Sequence, residues 1–147
     1  LAEEALALAA EDAEARAQAH NTLGILARGA GDRKAARRHL EESLALAERA
    51  GATAVRVAAL NNLARLRGAA GEIDAALGLL ELAIDLCARQ GDRHREAALL
   101  NQRADWLHRA GREDEAMSSL KAAVAIYAEI GQESGGWQPE IWKLTEW

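Results

Sequence analysis

Apolar residues fall along this chain in narrow stripes at about 100° per residue, the spacing of a helix with one buried face. In one segment the stripe is Ala59, Leu63, Leu66 and Ala70; in the next it is Ile73, Ala76, Leu77, Leu80, Ile84 and Cys87. The same reading predicts helices over 13–29 and 33–49, 53–70 and 73–89, and 93–110 and 113–130. Polar and glycine positions then repeat forty apart: Asn21, Asn61 and Asn101; Gly31, Gly71 and Gly111; Gly51, Gly91 and Gly131. A fixed period of this length marks a stack of near-identical units, each one supersecondary element. The units are 13–52, 53–92 and 93–132, each a helix pair with a tight glycine turn inside it and a looser glycine loop after it.

Two short helices cannot bury both stripes alone, so neighbouring pairs must cover them, and the predicted fold is all-α, a right-handed superhelix of antiparallel helix pairs. Ala36, Ala76 and Ala116 mark where helices approach closely, and Leu40, Leu80 and Leu120 fill the space one turn later. The array is expected to span 1–135. It opens on a half unit, 1–12, because Glu3-Glu4-Ala5-Leu6-Ala7-Leu8-Ala9 matches Glu41-Glu42-Ser43-Leu44-Ala45-Leu46-Ala47 at an offset two short of the period. That offset predicts an orphan second helix, a short loop, and then Ala13. With Leu1 at the start, the reading is of a fragment of something longer.

The run Ala59-Leu60-Asn61-Asn62-Leu63-Ala64, followed by Gly71, Ala75-Ala76, Leu80, Ala83 and Ile84, resembles a tetratricopeptide repeat. The forty-residue period is similar to the longer repeats of kinesin light chains and bacterial regulators. Leu23-Gly24 keeps the small-residue pair in the first unit, whereas Arg103-Ala104 places a charge where leucine is typical. The resemblance implies protein or peptide binding, with the first helix of each pair lining a concave groove. The face opposite the buried stripe carries Gln18, Asn21, Ile25 and Arg28, then Ala58, Asn61, Arg65 and Gly68, then Ala98, Asn101, Asp105 and His108. An amide both donates and accepts, so a row of three can pair with an extended peptide backbone, or can bond between units and hold the pitch. Arg28 and Arg65 add a possible carboxylate clamp or a solvated surface.

The tail breaks the repeat. Gly135-Gly136 reads as a joint, Pro139-Glu140 as the first turn of a short helix, and Trp137, Trp142 and Trp147 crowd residues 136–147. A solenoid end needs a cover, so this segment is read as a capping helix, with an anchor for another chain as the alternative.

Composition narrows the function classes. A formal net charge of -5 over 147 residues disfavours nucleic-acid backbones, which need a basic face, and anionic lipid surfaces alike. No apolar run is long enough to span a bilayer and no leader pattern opens the chain. Cys87 is the single cysteine, which fits a reducing, cytoplasmic compartment, and its apolar stripe argues against a nucleophile. His20, His39, His94 and His108 show no metal-ligand spacing. The pair Asp105 and His108 on one helix face reads as a surface contact, and every repeated glycine serves a turn rather than a phosphate loop. The chain is therefore read as no enzyme, with no cofactor and no metal. Its expected role is a protein-interaction module, part of a larger bacterial regulator, with self-association and a small-ligand sensor as the alternatives.

Overall fold

The computed structural model describes residues 1–134. Among them are six α-helices and no strand: α1 Ala2–Gly29, α2 Arg33–Ala50, α3 Thr53–Ala69, α4 Ile73–Gln90, α5 Arg93–Arg109 and α6 Glu113–Ser134. The expected tail with Trp137, Trp142 and Trp147 lies outside the described residues.

The five turns share one chemistry. Gly31, Gly51, Gly71, Gly91 and Gly111 all take positive φ, between 65° and 83°. Only glycine occupies that left-handed region without a Cβ penalty, so it closes each helix. The next residue's N–H then reaches back to a carbonyl five positions earlier: Asp32 to Ala27 at 2.9 Å, Ala52 to Ala47 at 2.9 Å, Glu72 to Arg67 at 3.0 Å, Asp92 to Cys87 at 3.0 Å and Arg112 to Leu107 at 2.9 Å. That bond satisfies a carbonyl the helix end would leave orphaned. Asp32 and Asp92 also cap the following helix, accepting from the N–H of Ala35 and of Arg95, while Ala52 holds the same backbone conformation with no side-chain cap.

Two expectations are corrected. The leading half unit, 1–12, is not followed by a loop: α1 runs unbroken from Ala2 to Gly29. Its first two turns are alanine, leucine and glutamate, all strong helix formers, with no glycine or proline before Gly24 to interrupt them. At the other end α6 continues through Gly131 to Ser134, so that glycine starts no loop. Gly51 and Gly91 are each followed within two residues by a new helix start, and no such start follows Gly131 in the sequence.

The chain divides into two compact units, Leu1–Glu72 and Ile73 onward, so the compact boundary falls at the Gly71 turn, inside the predicted unit 53–92. In a repeat array each element contacts only its neighbours, so repeat boundaries and compact boundaries need not coincide. In the first unit α1 and α2 form an antiparallel hairpin, α3 packs on α2, and α1 also touches α3. Ala17, Leu46, Ala47, Ala52 and Val55 make one cluster there. Gly24 sits so close to α2 that a Cβ would stand 2.6 Å from Leu40 Cγ. In the second unit α5 packs on both α4 and α6, around Ala97, Leu100, Ala123 and Ile126.

Ala36, Ala76 and Ala116 are fully buried, and Leu40, Leu80 and Leu120 are buried beside them, as the spacing predicts. Ala59, Leu63 and Leu66 of the α3 stripe are buried, but Ala70 is exposed because it lies on the turn as the helix C-cap. Arg103 does not unseat α5 from α4: the residue is half-buried, and its guanidinium pairs with Glu81 of α4 at 3.2 Å.

Candidate partner-binding surface

The first helices carry the predicted surface residues, and the 3.6-residue repeat decides which of them face outward. Gln18 and Asn21 stand one turn apart on α1, and Ala54 and Ala58 one turn apart on α3. Where these helices meet, Gln18, Asn21, Thr22, Ala54, Val55 and Ala58 line an open cleft of about 270 Å³. Three of the six, Gln18, Asn21 and Ala58, are on the face predicted from the sequence. Mixed lining suits an extended chain, since amides and a hydroxyl offer hydrogen bonds while the alanines and valine leave room and apolar contact.

Asn21 does two things. Its Oδ1 accepts a hydrogen bond from Asn62 Nδ2 at 3.0 Å, a half-buried link between α1 and α3, and the same side chain borders the cleft. Asn62 is a residue that the forty-residue register alone does not single out. Its signal was the doublet Asn61-Asn62, two adjacent amides in a helix where asparagine is a poor former. Asn61 is half-buried, and its Oδ1 is buried with no hydrogen-bond partner among the described residues. Asn101 is half-buried on α5.

The remaining predicted residues divide. Arg28 is half-buried and Arg65 exposed. Ile25 and Ala98 are exposed, whereas Gly68 is buried and so leaves the predicted outward face. Asp105 and His108 do not form a couple: Asp105 pairs with Arg109 at 3.1 Å, and His108 with Glu113 across the Gly111 turn at 2.9 Å. His20 and His39 do meet, which their separate helices conceal in the sequence. Their Nδ1 atoms are 3.0 Å apart, so one ring donates and the other accepts. Eighty residues on, the same two places hold Leu100 and Ser119, where Ser119 Oγ donates to the Leu100 carbonyl at 2.9 Å.

Cys87 is buried, and its desolvation, with Asp92 nearby, pushes the thiol up, away from a reactive thiolate. Burial likewise pushes the Tyr127 hydroxyl up. Arg93 is held charged by Glu129 at 2.6 Å and Glu96 at 2.8 Å, a surface ion network. No helix among the described residues is long and apolar enough to cross a membrane.

Helix hairpins closed by one glycine motif and carried at one register, with a cleft along their first helices, define a helical-repeat protein of the kind that presents a surface. Sequence profiles agree: a tetratricopeptide-repeat profile matches residues 55–129, about half of the chain, and a second tetratricopeptide-repeat profile matches residues 16–50. The chain belongs to the tetratricopeptide-repeat family. No curated protein matches it. Repeats of this family generally mediate protein–protein interaction, and its members are typically scaffolds without catalytic activity.

Proposed function

We propose that this chain is a protein-interaction module that holds an extended peptide segment along its first helices, with the cleft between α1 and α3 as the seat. The observation that carries the reading is the cleft itself, about 270 Å³ bordered by Gln18, Asn21 and Ala58. Asn61 lies on α3 outside the lining of that cleft, so its part in the reading is a candidate contact on the same helix as Ala54 and Ala58. Within the same compact unit Arg28 of α1 and Arg65 of α3 are the further candidate contacts, and Asn101, Asp105 and His108 are the candidate contacts that α5 carries in the second unit. We place the module within a larger cytoplasmic regulator of bacterial type, on its long repeat period and its single buried cysteine.

The test is to select binders from a displayed peptide library and measure them against two variants. Ala58→Arg fills the cleft from a half-buried position, and Gln18→Ala removes an exposed amide without adding bulk. Helicity by circular dichroism should stay unchanged in both, with binding lost in the first and weakened in the second. Undiminished binding to Ala58→Arg rejects the reading.

A second reading, self-association, has one specific observation in its favour. Leu23, Ile25 and Leu26 are 45%, 40% and 63% exposed on α1, whereas Leu63 and Leu66 at the matching places on α3 are 4% and 7% exposed. An apolar face of this kind is a candidate contact between copies. Light scattering would show a concentration-dependent dimer that Leu26→Glu abolishes; a monomer at all concentrations excludes it.

A further inference from the structure

The opening turn of each second helix occupies the same place in its hairpin, yet its charge differs. Ile73 and Asp74 open α4, and Glu113 and Asp114 open α6, whereas Arg33 and Lys34 open α2. Acidic residues suit a helix N-terminus because they oppose the positive end of the macrodipole, and cations there work against it. The first turn of α2 carries no acidic residue at all. Its cations are thus placed against the stability of their own helix.

They gather on a second cleft. Arg33, Lys34 and Arg37 of α2 line a hollow of about 190 Å³ together with Leu66, Arg67, Ala70 and Glu72 from the end of α3 and the turn after it, four cations to one carboxylate. Arg37 is engaged by Glu41 at 2.7 Å and Arg67 by Glu72 at 2.9 Å. Arg33 and Lys34 have no ion pair among the described residues. The patch is a local concentration of positive charge in a chain whose formal net charge is -5. Over about 8 Å at physiological salt, the charges nearest a ligand outweigh the molecular total.

The lining selects the ligand. Guanidinium groups hold carboxylates by forked, charge-assisted hydrogen bonds, and the leucine and alanine add an apolar contact beside them. A nucleic-acid backbone would need a longer basic stripe and aromatic platforms, and the lining has neither. We propose that the cleft between the start of α2 and the end of α3 is a second docking site, separate from the α1–α3 cleft, for an acidic protein segment with an aliphatic residue next to its carboxylates.

The test uses fluorescence anisotropy on the whole chain with a fluorescein-labelled peptide of repeated Glu-Glu-Leu, a Gln-Gln-Leu counterpart and a labelled DNA duplex. The acidic peptide should bind, the glutamine peptide should bind at least about tenfold more weakly, and affinity should fall as salt rises. Arg33→Glu with Lys34→Glu should cost about tenfold or more, and Arg67→Gln a smaller factor in the same direction. The double reversal installs the charge that α6 already carries at Glu113 and Asp114, so α2 is expected to remain folded by circular dichroism. Ala58→Arg, which blocks only the α1–α3 cleft, should leave this binding unchanged. Equal affinity of the double variant, loss of binding in Ala58→Arg, or tighter binding of the duplex than of the peptide would each overturn the proposal.

Discussion

The hairpin α1–α2 and the hairpin α5–α6 are two solutions to one packing problem. Both are closed by a left-handed glycine, Gly31 and Gly111, and both place a fully buried alanine at the crossing, Ala36 and Ala116. Beyond that they diverge. Where α1 has Gly24, α5 has Ala104; where α2 has Ser43, donating to the Ala17 carbonyl at 2.7 Å, α6 has Ala123. Leu26 is 63% exposed on α1, and Trp106 at the matching place on α5 is 7% exposed, with Arg109 stacked 4.7 Å above its ring. Arg33 and Lys34 stand where Glu113 and Asp114 do. The comparison teaches that turn glycines and crossing alanines are what the hairpins share, while both buried places (Gly24 and Ala104, Ser43 and Ala123) and the exposed opening turn of the second helix (Arg33 and Lys34, Glu113 and Asp114) are free to differ.

Removing a shared element should hurt most. Leu40 is fully buried against α1, and Leu40→Ala should cost roughly 2 to 5 kcal/mol through lost burial and the cavity left behind. Chemical denaturation measures it, and Leu120→Ala should cost a similar amount if the two hairpins are truly equivalent. A loss well under 1 kcal/mol at either site would break that equivalence.

Gly24 and Ala104 sharpen the comparison in opposite senses. Gly24→Ala drives a Cβ to 2.6 Å from Leu40, an overpacking cost of about 1 to 3 kcal/mol that exceeds the helix-propensity gain of about 1 kcal/mol. Ala104→Gly loses that same propensity, about 1 kcal/mol, and gains nothing in return. Swapping the two residues should therefore destabilise both hairpins, and thermal melts of the single variants would show it.

Much of this was legible in the sequence, because hairpin geometry here rests on local rules. The forty-residue register found the turn glycines and crossing alanines, since a left-handed turn admits little but glycine and a close crossing little but alanine. The Gly31, Gly71 and Gly111 turns and the helix starts at Arg33, Thr53, Ile73, Arg93 and Glu113 follow directly. Failures came where the period was trusted over local chemistry: residues 1–12 merge into α1 because nothing there stops a helix, and α6 runs on through Gly131 because no helix start stands within two residues of it, as one does after Gly51 and Gly91. The pairings Asn21 with Asn62 and His20 with His39 were not legible, because each joins two helices and depends on rotation angles that one-dimensional spacing does not fix. The basic cleft was missed for a different reason. Arg33, Lys34, Arg37 and Arg67 are ordinary solvated cations until the fold brings α2 and α3 together.

Smaller effects separate the helix starts. Asp92 caps α5 through the N–H of Arg95 at 3.2 Å, and Ala52 at the N-cap of α3 makes no such bond. Asp92→Ala should cost about 1 kcal/mol and make α5 begin as α3 does, a difference visible as faster amide exchange in its first turn. Smallest of all is a titration. Arg112 grips both oxygens of Glu115, at 2.8 and 2.7 Å, and holds that carboxyl below the ordinary carboxylate range. A lowered folded-state value contributes stability above the ordinary range and loses it as pH falls through the folded value. Arg112→Ala should return the Glu115 titration, followed by NMR, upward to the ordinary range.

The central claim is that the first helices are the wall that meets a partner. Amide-shift mapping of the labelled chain with a peptide selected from the library tests it most directly. The account predicts perturbations centred on Gln18, Asn21 and Thr22 of α1 and on Ala54 and Ala58 of α3. Perturbations confined to the second helices, or centred on Arg33, Lys34 and Arg67 with the α1–α3 cleft silent, would contradict it.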